Sequence, residues 1–203
     1  MASSTSTEII LASASPRRQE LLGVMGLDFR VLPSEFDEST VTSWPPEDHV
    51  IQSATGKATD VAARISDGIV IGADTVVVVD GHILGKPADP EDARRMLKML
   101  SARSHYVYTG ICVVRRAGDR TEQVLTDYAQ TEVRFGPLAD EIIDAYVATG
   151  EPLDKAGAYG IQERGCVLVE GIVGDYFNVV GLPVYRLSRM LAKVGIRLLG
   201  LSS

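Results

Sequence analysis

The 203-residue chain is 45% hydrophobic and 23% charged, which fits a soluble globular protein of one large domain, or one domain with a small lobe. Its net charge of −7 excludes bulk attraction to nucleic acid, so any polyanionic ligand has to be held by a local basic cluster, with a metal ion as the natural helper. No uncharged apolar stretch approaches the ~18 residues of a membrane span, and the small polar start MASSTSTE lacks the basic and apolar parts of a signal peptide, so a cytoplasmic protein is expected.

The first apolar run, Ile9 to Ala12, reads as a strand. Ser13 and Ser15 follow, and Pro16 suits the first position of a helix that runs past Leu21, Leu22 and Met25 to a stop at Gly26. With Ser15 as N-cap, Arg17 and Arg18 fall in the first turn. Unpaired N–H groups and the helix dipole already make that end positive, so two guanidinium groups there are anomalous unless an anion docks on them. The other reading is a pair of surface arginines with no duty. LDFRVLP is a second strand, SEFDEST an acidic stretch, and SWPPED a double-proline helix start. Val50, Ile51, Ala54, Ala58, Val61 and Ile65 recur at helical spacing, giving an amphipathic helix over 47–65. Lys57 lies at the edge of that apolar stripe, where it needs an acidic or ligand partner or has to snorkel to water.

Asp80-Gly81 is a two-residue hairpin signal between apolar runs, setting Val79 opposite His82 and, further out, Thr75 opposite Lys86. Asp74 interrupts the first of those runs and is either a costly buried charge or a working one. The next helix begins at ADPED, with Asp89 as cap, Pro90 first and acids in the first turn, the normal arrangement that α-helix dipoles favour. Strands over 104–116 and 122–135 are joined by AGDR, and a helix over 138–149 stops at Gly150. EPLDKAGAYGIQERG is rich in Gly and Ala and sets Asp154 beside Lys155. Strand 166–173, a Gly174-Asp175 turn, strand 176–180 and a helix over 183–194 complete a mixed α/β chain, with residues 1–7 and 196–203 expected as flexible tails. Cys112 and Cys166 sit in apolar, strand-like runs and read as buried free thiols.

The familiar phosphate motifs are missing. The glycine that a P-loop needs five residues before Gly56 is Ile51, and Gly68 and Gly72 do not open a helix as a dinucleotide fingerprint. His49, His82 and His105 are isolated and lack ligand spacing. What remains is a scattered set of cations (Arg17, Arg18, Lys57, Lys86, Lys155) and acids (Glu35, Asp37, Glu38, Asp74, Asp154). That inventory suits phosphoryl chemistry, which needs cations on phosphate oxygens, a carboxylate-held metal and a base near the attacking water.

LASASPRRQELL, GADTVVVVDGHILGKP and LDKAGAYGIQ, with FDES, GKA and VVGLP in register, closely resemble the Maf family of nucleoside triphosphate pyrophosphatases over residues 8 to 195. The resemblance implies an α/β fold shared with inosine triphosphatases, a mixed twisted sheet flanked by helices in two lobes around a central cleft, and a homodimer. It implies hydrolysis of a nucleoside triphosphate to the monophosphate and pyrophosphate, assisted by Mg²⁺, Mn²⁺ or Co²⁺. Carried over by position, Asp74 is the proton acceptor and, with Glu38, a metal ligand; Ser13, Arg17, Arg18, Lys57, Lys86, Asp154 and Lys155 line the phosphate pocket. Arg17, Thr75 and Gln162 match the branch that acts on dTTP and UTP rather than 7-methyl-GTP. A nucleotide-binding regulator of cell division without turnover is the competing expectation.

Overall fold

The computed structural model describes residues 7–42, 44–118 and 120–199. Ser43 of the predicted helix start, Asp119 of the predicted AGDR turn and residues 1–6 and 200–203 of the predicted tails lie outside them. The chain runs β1 (Ile9–Leu11), α1 (Pro16–Val24), β2 (Arg30–Val31), α2 (Pro46–Ala62), β3 (Gly68–Val79), β4 (His82–Leu84), α3 (Pro90–Leu100), β5 (Ser104–Ala117), β6 (Arg120–Phe135), α4 (Asp140–Val147), β7 (Val169–Val173), α5 (Tyr176–Val180) and α6 (Val184–Lys193). Single 3₁₀ turns occupy Glu38–Thr40, Glu151–Asp154, Ala156–Ala158 and Arg164–Leu168. The strands form one mixed sheet in the order β2-β1-β3-β5-β6-β7, with β4 paired to β3. β1 pairs parallel with β2 and β3, whereas β3–β4 and β6–β7 are antiparallel.

The hairpin forms as its turn residues dictate, with Val79 opposite His82 across Asp80-Gly81. It is shorter than expected. β4 ends at Leu84, so Thr75 and Lys86 are not paired; the Gly85 carbonyl instead accepts the Gly157 N–H at 3.0 Å. The predicted strand over 176–180 is a correction too: α5 is helical, started by Asp175, whose Oδ1 accepts the Phe177 N–H at 2.8 Å. Cys112 is buried as expected, but Cys166 is exposed, because the first part of the predicted strand 166–173 is the turn Arg164–Leu168. Asp89 caps α3 as its sequence foretells, accepting the Asp92 N–H at 2.8 Å.

The chain divides into two compact units. The first comprises Met1–Asp74, Gly110–Tyr128 and Gly181–Ser203. Its core joins Ile10, Val70, Cys112 and Val114 of the strands to Ala54, Ala58 and Val61 of α2. Small residues let this helix approach closely. A Cβ on Gly72 would meet the Ala54 carbonyl and Ala58, and one on Gly110 would meet the backbone of Val50 and Ile51. Because backbone cannot swing aside, Gly72→Ala is expected to cost about 2–3 kcal/mol, read as a lower urea midpoint. Gly23→Ala, with nothing within 4 Å of the new methyl, is the control that should not destabilise the fold.

The second unit comprises Thr75–Thr109 and Ala129–Val180. Its core packs Leu97 and Leu100 of α3 and Ile143 and Tyr146 of α4 against Val77, Val107, Val133 and Phe135 of the strands. His105 is buried there, its Nε2 2.7 Å from the Tyr159 hydroxyl, and burial draws its pKa down to about 4, so the ring is neutral.

Candidate functional site

In the first unit, the α1 start is built around Ser13 and Arg18. Ser15 occupies the N-cap position, yet its side chain makes no capping bond; its backbone N–H donates to Ser13 Oγ at 3.2 Å. No acid stands in the first turn. Arg18 spends three N–H groups inside the protein, on the Gly181 carbonyl at 2.9 Å, the Ala73 carbonyl at 2.9 Å and Ser13 Oγ at 3.2 Å. Burial lowers its pKa, opposed by the charges of Asp74 and Glu38. Arg18 is thus tied to the residue preceding Asp74, a role the sequence did not disclose. Arg17 is half-buried one position earlier.

Lys57 had two outcomes open to it, and it takes the acidic partner. Its Nζ lies 2.7 Å from Asp74 Oδ1 and 3.0 Å from Glu38 Oε2, with Lys57 8% and Asp74 7% exposed. The close seat of α2 on Gly72 brings the lysine to β3. Glu38 arrives on the turn Glu38–Thr40, which Asp37 caps by accepting the Ser39 N–H at 3.0 Å. Phe36 anchors that segment by resting on Gly56 of α2, where a Cβ would strike its ring. Burial pushes the Asp74 pKa up, but the charge and hydrogen bond of Lys57, then the charges of Arg18 and His49, outweigh it and hold the carboxyl below its ordinary value. Asp74 is therefore ionised at neutral pH and holds the Lys57 ammonium group.

The structure thus connects Ser13, Arg18, Glu38, Lys57 and Asp74 within one unit. Thr75, Lys86, Asp154, Lys155 and Gln162 belong to the second. There, buried Lys155 donates to the Glu151 carbonyl and Asp154 Oδ1, both at 2.8 Å, with Glu163 Oε2 at 3.7 Å. Its stem passes close over Gly160. Thr75 is bonded to Thr109, Lys86 is exposed, and Gln162 is half-buried between the 3₁₀ turns Ala156–Ala158 and Arg164–Leu168. Glu163 beside Lys155, and Thr109 with Asn178 behind Thr75, are contacts that sequence reasoning missed. Glu163 stood in plain sight at the end of GIQERG, but the other two carried no signal short of the folded contacts.

Among the described residues no three His, Cys, Asp or Glu side chains are grouped closely enough to hold a metal by themselves. The Glu38–Asp74 pair, converging on one ammonium group, nevertheless supplies the hard oxygen donors that Mg²⁺ uses when phosphate oxygens and water complete its shell. Those two carboxylates are the residues that fit a divalent cation arriving with a nucleotide.

Residues 8–194 match the family described as Maf-like protein. The chain belongs to the Maf family. A curated relative named dTTP/UTP pyrophosphatase, from Moorella thermoacetica, is 53% identical over 96% of this chain and 98% of its own. Another of that name, from Bacillus cereus, is 49% identical over 93% of this chain and 96% of its own. A solved structure of a HAM1 protein from Coxiella burnetii aligns with a TM-score of 0.49 at 14% identity, over 93% of this chain and 100% of that chain. Among the described residues of this Maf protein, no helix is long and apolar enough to cross a membrane.

Proposed function

We propose that this Maf protein is a nucleoside triphosphate pyrophosphatase that hydrolyses dTTP and UTP to the monophosphate and pyrophosphate. The observation that carries the reading is the buried, ionised Asp74 paired with Lys57, next in sequence to the Ala73 carbonyl that Arg18 holds at the opening of α1. Relatives at about half identity over nearly their whole length bear the name of that activity. Asp74 accepts the proton of a water molecule that attacks the α-phosphorus, and the bond from that phosphorus to the α–β bridging oxygen breaks. Pyrophosphate leaves with its charge met by Arg17, Lys57 and Lys86, while Arg18 adds its own charge and keeps Ser13 and Ala73 in place. A divalent cation such as Mg²⁺, Mn²⁺ or Co²⁺, held by Glu38 and Asp74, would screen the phosphate charge.

Asp154 and Lys155 complete the phosphate-binding set, and Arg17, Thr75 and Gln162 select the substrate. A uracil or thymine edge offers carbonyl acceptors and one N–H donor, which a glutamine amide can match with a donor and an acceptor of its own. The same reading makes the protein a cytoplasmic homodimer acting on free nucleotides rather than on nucleic acid or membranes. Pyrophosphate release from dTTP, UTP, ITP and 7-methyl-GTP, with and without Mg²⁺, tests it. Release from dTTP and UTP roughly tenfold or more above the purine nucleotides is expected. Tight binding without turnover would instead establish the regulator, and faster turnover of a purine nucleotide would reassign the substrate.

A further inference from the structure

The strap that leads from β2 to the turn Glu38–Thr40 is fastened to one stripe of α2. Gly56, Asp60 and Arg64 follow one another at intervals of four, the spacing that stacks side chains on one helix face. The strap meets them in reverse order. The Phe36 ring rests on Gly56. Asp60 Oδ2 accepts the Ser34 hydroxyl and the Glu35 N–H, both at 2.9 Å. Arg64, just past the end of α2, donates to the Pro33 carbonyl at 2.8 Å and to the same Asp60 oxygen at 2.9 Å.

Asp60 is the acceptor on which two consecutive strap residues converge. The single hydroxyl hydrogen of Ser34 goes to it, which leaves the Ser34 oxygen to accept the Phe36 N–H at 3.0 Å. The Glu35 N–H, with the Ser34 hydroxyl and the Arg64 charge, outweighs burial and holds the Asp60 carboxyl below its ordinary value, so the acceptor is ionised at neutral pH. Glu38 follows Phe36 by two residues. Its side chain is 60% exposed, so close packing does not fix its carboxylate 3.0 Å from Lys57 Nζ. The course of the backbone does, and Asp60 sets that course about one helical turn from Lys57 on the same helix.

We propose that Asp60 is a positioning residue for the reaction: by latching the strap to α2 it sets the Glu38 carboxylate beside Lys57 and Asp74, where Glu38 serves as the second oxygen donor to a divalent cation. A single helix thereby carries both the lysine that Glu38 meets and the latch that delivers Glu38 to it. The inference rests on the reading of Glu38 and Asp74 as cation ligands and adds the residue that holds one of them in place.

The experiment titrates Mn²⁺ into protein saturated with a hydrolysis-resistant dTTP analogue and reads bound metal by electron paramagnetic resonance. Asp60→Ala, which leaves a strong helix former in place, is expected to weaken Mn²⁺ binding about tenfold. Asp60→Asn still offers an oxygen to Ser34 and Glu35 and should stay within about threefold of wild type. A residue that acts through Glu38 loses its effect once that carboxylate is gone, so in a Glu38→Gln background Asp60→Ala should change binding less than about twofold. Equal losses in both backgrounds would mark a merely structural role and overturn the inference. So would wild-type Mn²⁺ binding by Asp60→Ala, a Glu38→Gln protein that binds Mn²⁺ as well as wild type does, or a wild type that takes up no Mn²⁺. Should Asp60→Ala not fold, Ser34→Ala decides from the strap side of the same bond: unchanged binding there sinks the proposal. Failure of the wild type to release pyrophosphate from dTTP or UTP refutes the proposed activity itself, a separate result read from turnover and not from bound metal.

Discussion

Asp74→Asn is expected to reduce pyrophosphate release from dTTP by about a thousandfold, with the fold retained in circular dichroism and urea unfolding. The substitution keeps shape and removes one property. An asparagine oxygen can still accept the Lys57 N–H that Asp74 Oδ1 accepts at 2.7 Å, and Lys57 keeps its ion pair with Glu38 at 3.0 Å. An amide, however, cannot take up a proton from water. The stability lost with the charge is about 1–2 kcal/mol, the usual difference between a charged and a neutral hydrogen bond at a buried site. A loss of about 1–2 kcal/mol changes the folded-to-unfolded ratio only about 5- to 30-fold and leaves the chain folded, so it does not account for a thousandfold loss of rate. Near-normal release of pyrophosphate by a folded Asp74→Asn protein would mean that the acceptor is another group and that Asp74 serves only to neutralise Lys57.

Local chemistry was what the sequence disclosed best. The Asp80-Gly81 turn and the Asp89 cap each depend on residues a few positions apart, and both formed as read. YFNVV was misread as a strand because five residues are too few for periodicity to separate helix from strand, and what made them helical was the Asp175 cap and the buried Asn178 bonds. Thr75 was set opposite Lys86 by extending a correct register too far, past Leu84, where Gly85 turns to Gly157 instead. The site behaved in the same way. That Asp74 and Lys57 needed partners followed from charge within apolar patterns, but their pairing crosses 17 residues and depends on how closely α2 sits on Gly72. Arg18 illustrates the limit of the dipole argument. The anomaly of a cation at a helix start was real, yet much of its resolution lies in the Gly181 and Ala73 carbonyls, which no side-chain pattern announces.

Lys57→Met is expected to cost about 3 kcal/mol at pH 7, because removing one member of a buried ion pair strands the other. The stranded group is Asp74. In the wild type its pKa lies below the unfolded value, so its contribution to stability is present at neutral pH and is lost only as pH falls through the carboxylate range. Without Lys57, burial, the largest single influence on Asp74, is opposed only by the charges of Arg18 and His49, and the folded-state pKa is expected to rise above the unfolded one. The folded variant then binds more protons than the unfolded chain, and its stability falls as pH rises. The gap between variant and wild type should therefore narrow as urea midpoints are taken at pH 7, 6 and 5. His105, kept neutral by burial, destabilises both proteins on acidification between its ordinary pKa and about 4, so its effect cancels in the difference. The double variant Lys57→Met with Asp74→Asn should recover most of the loss at pH 7 while remaining inactive. A gap that stayed constant with pH, together with a double variant no more stable than Lys57→Met alone, would show that the cost comes from lost packing along the lysine stem and not from an unpaired carboxylate.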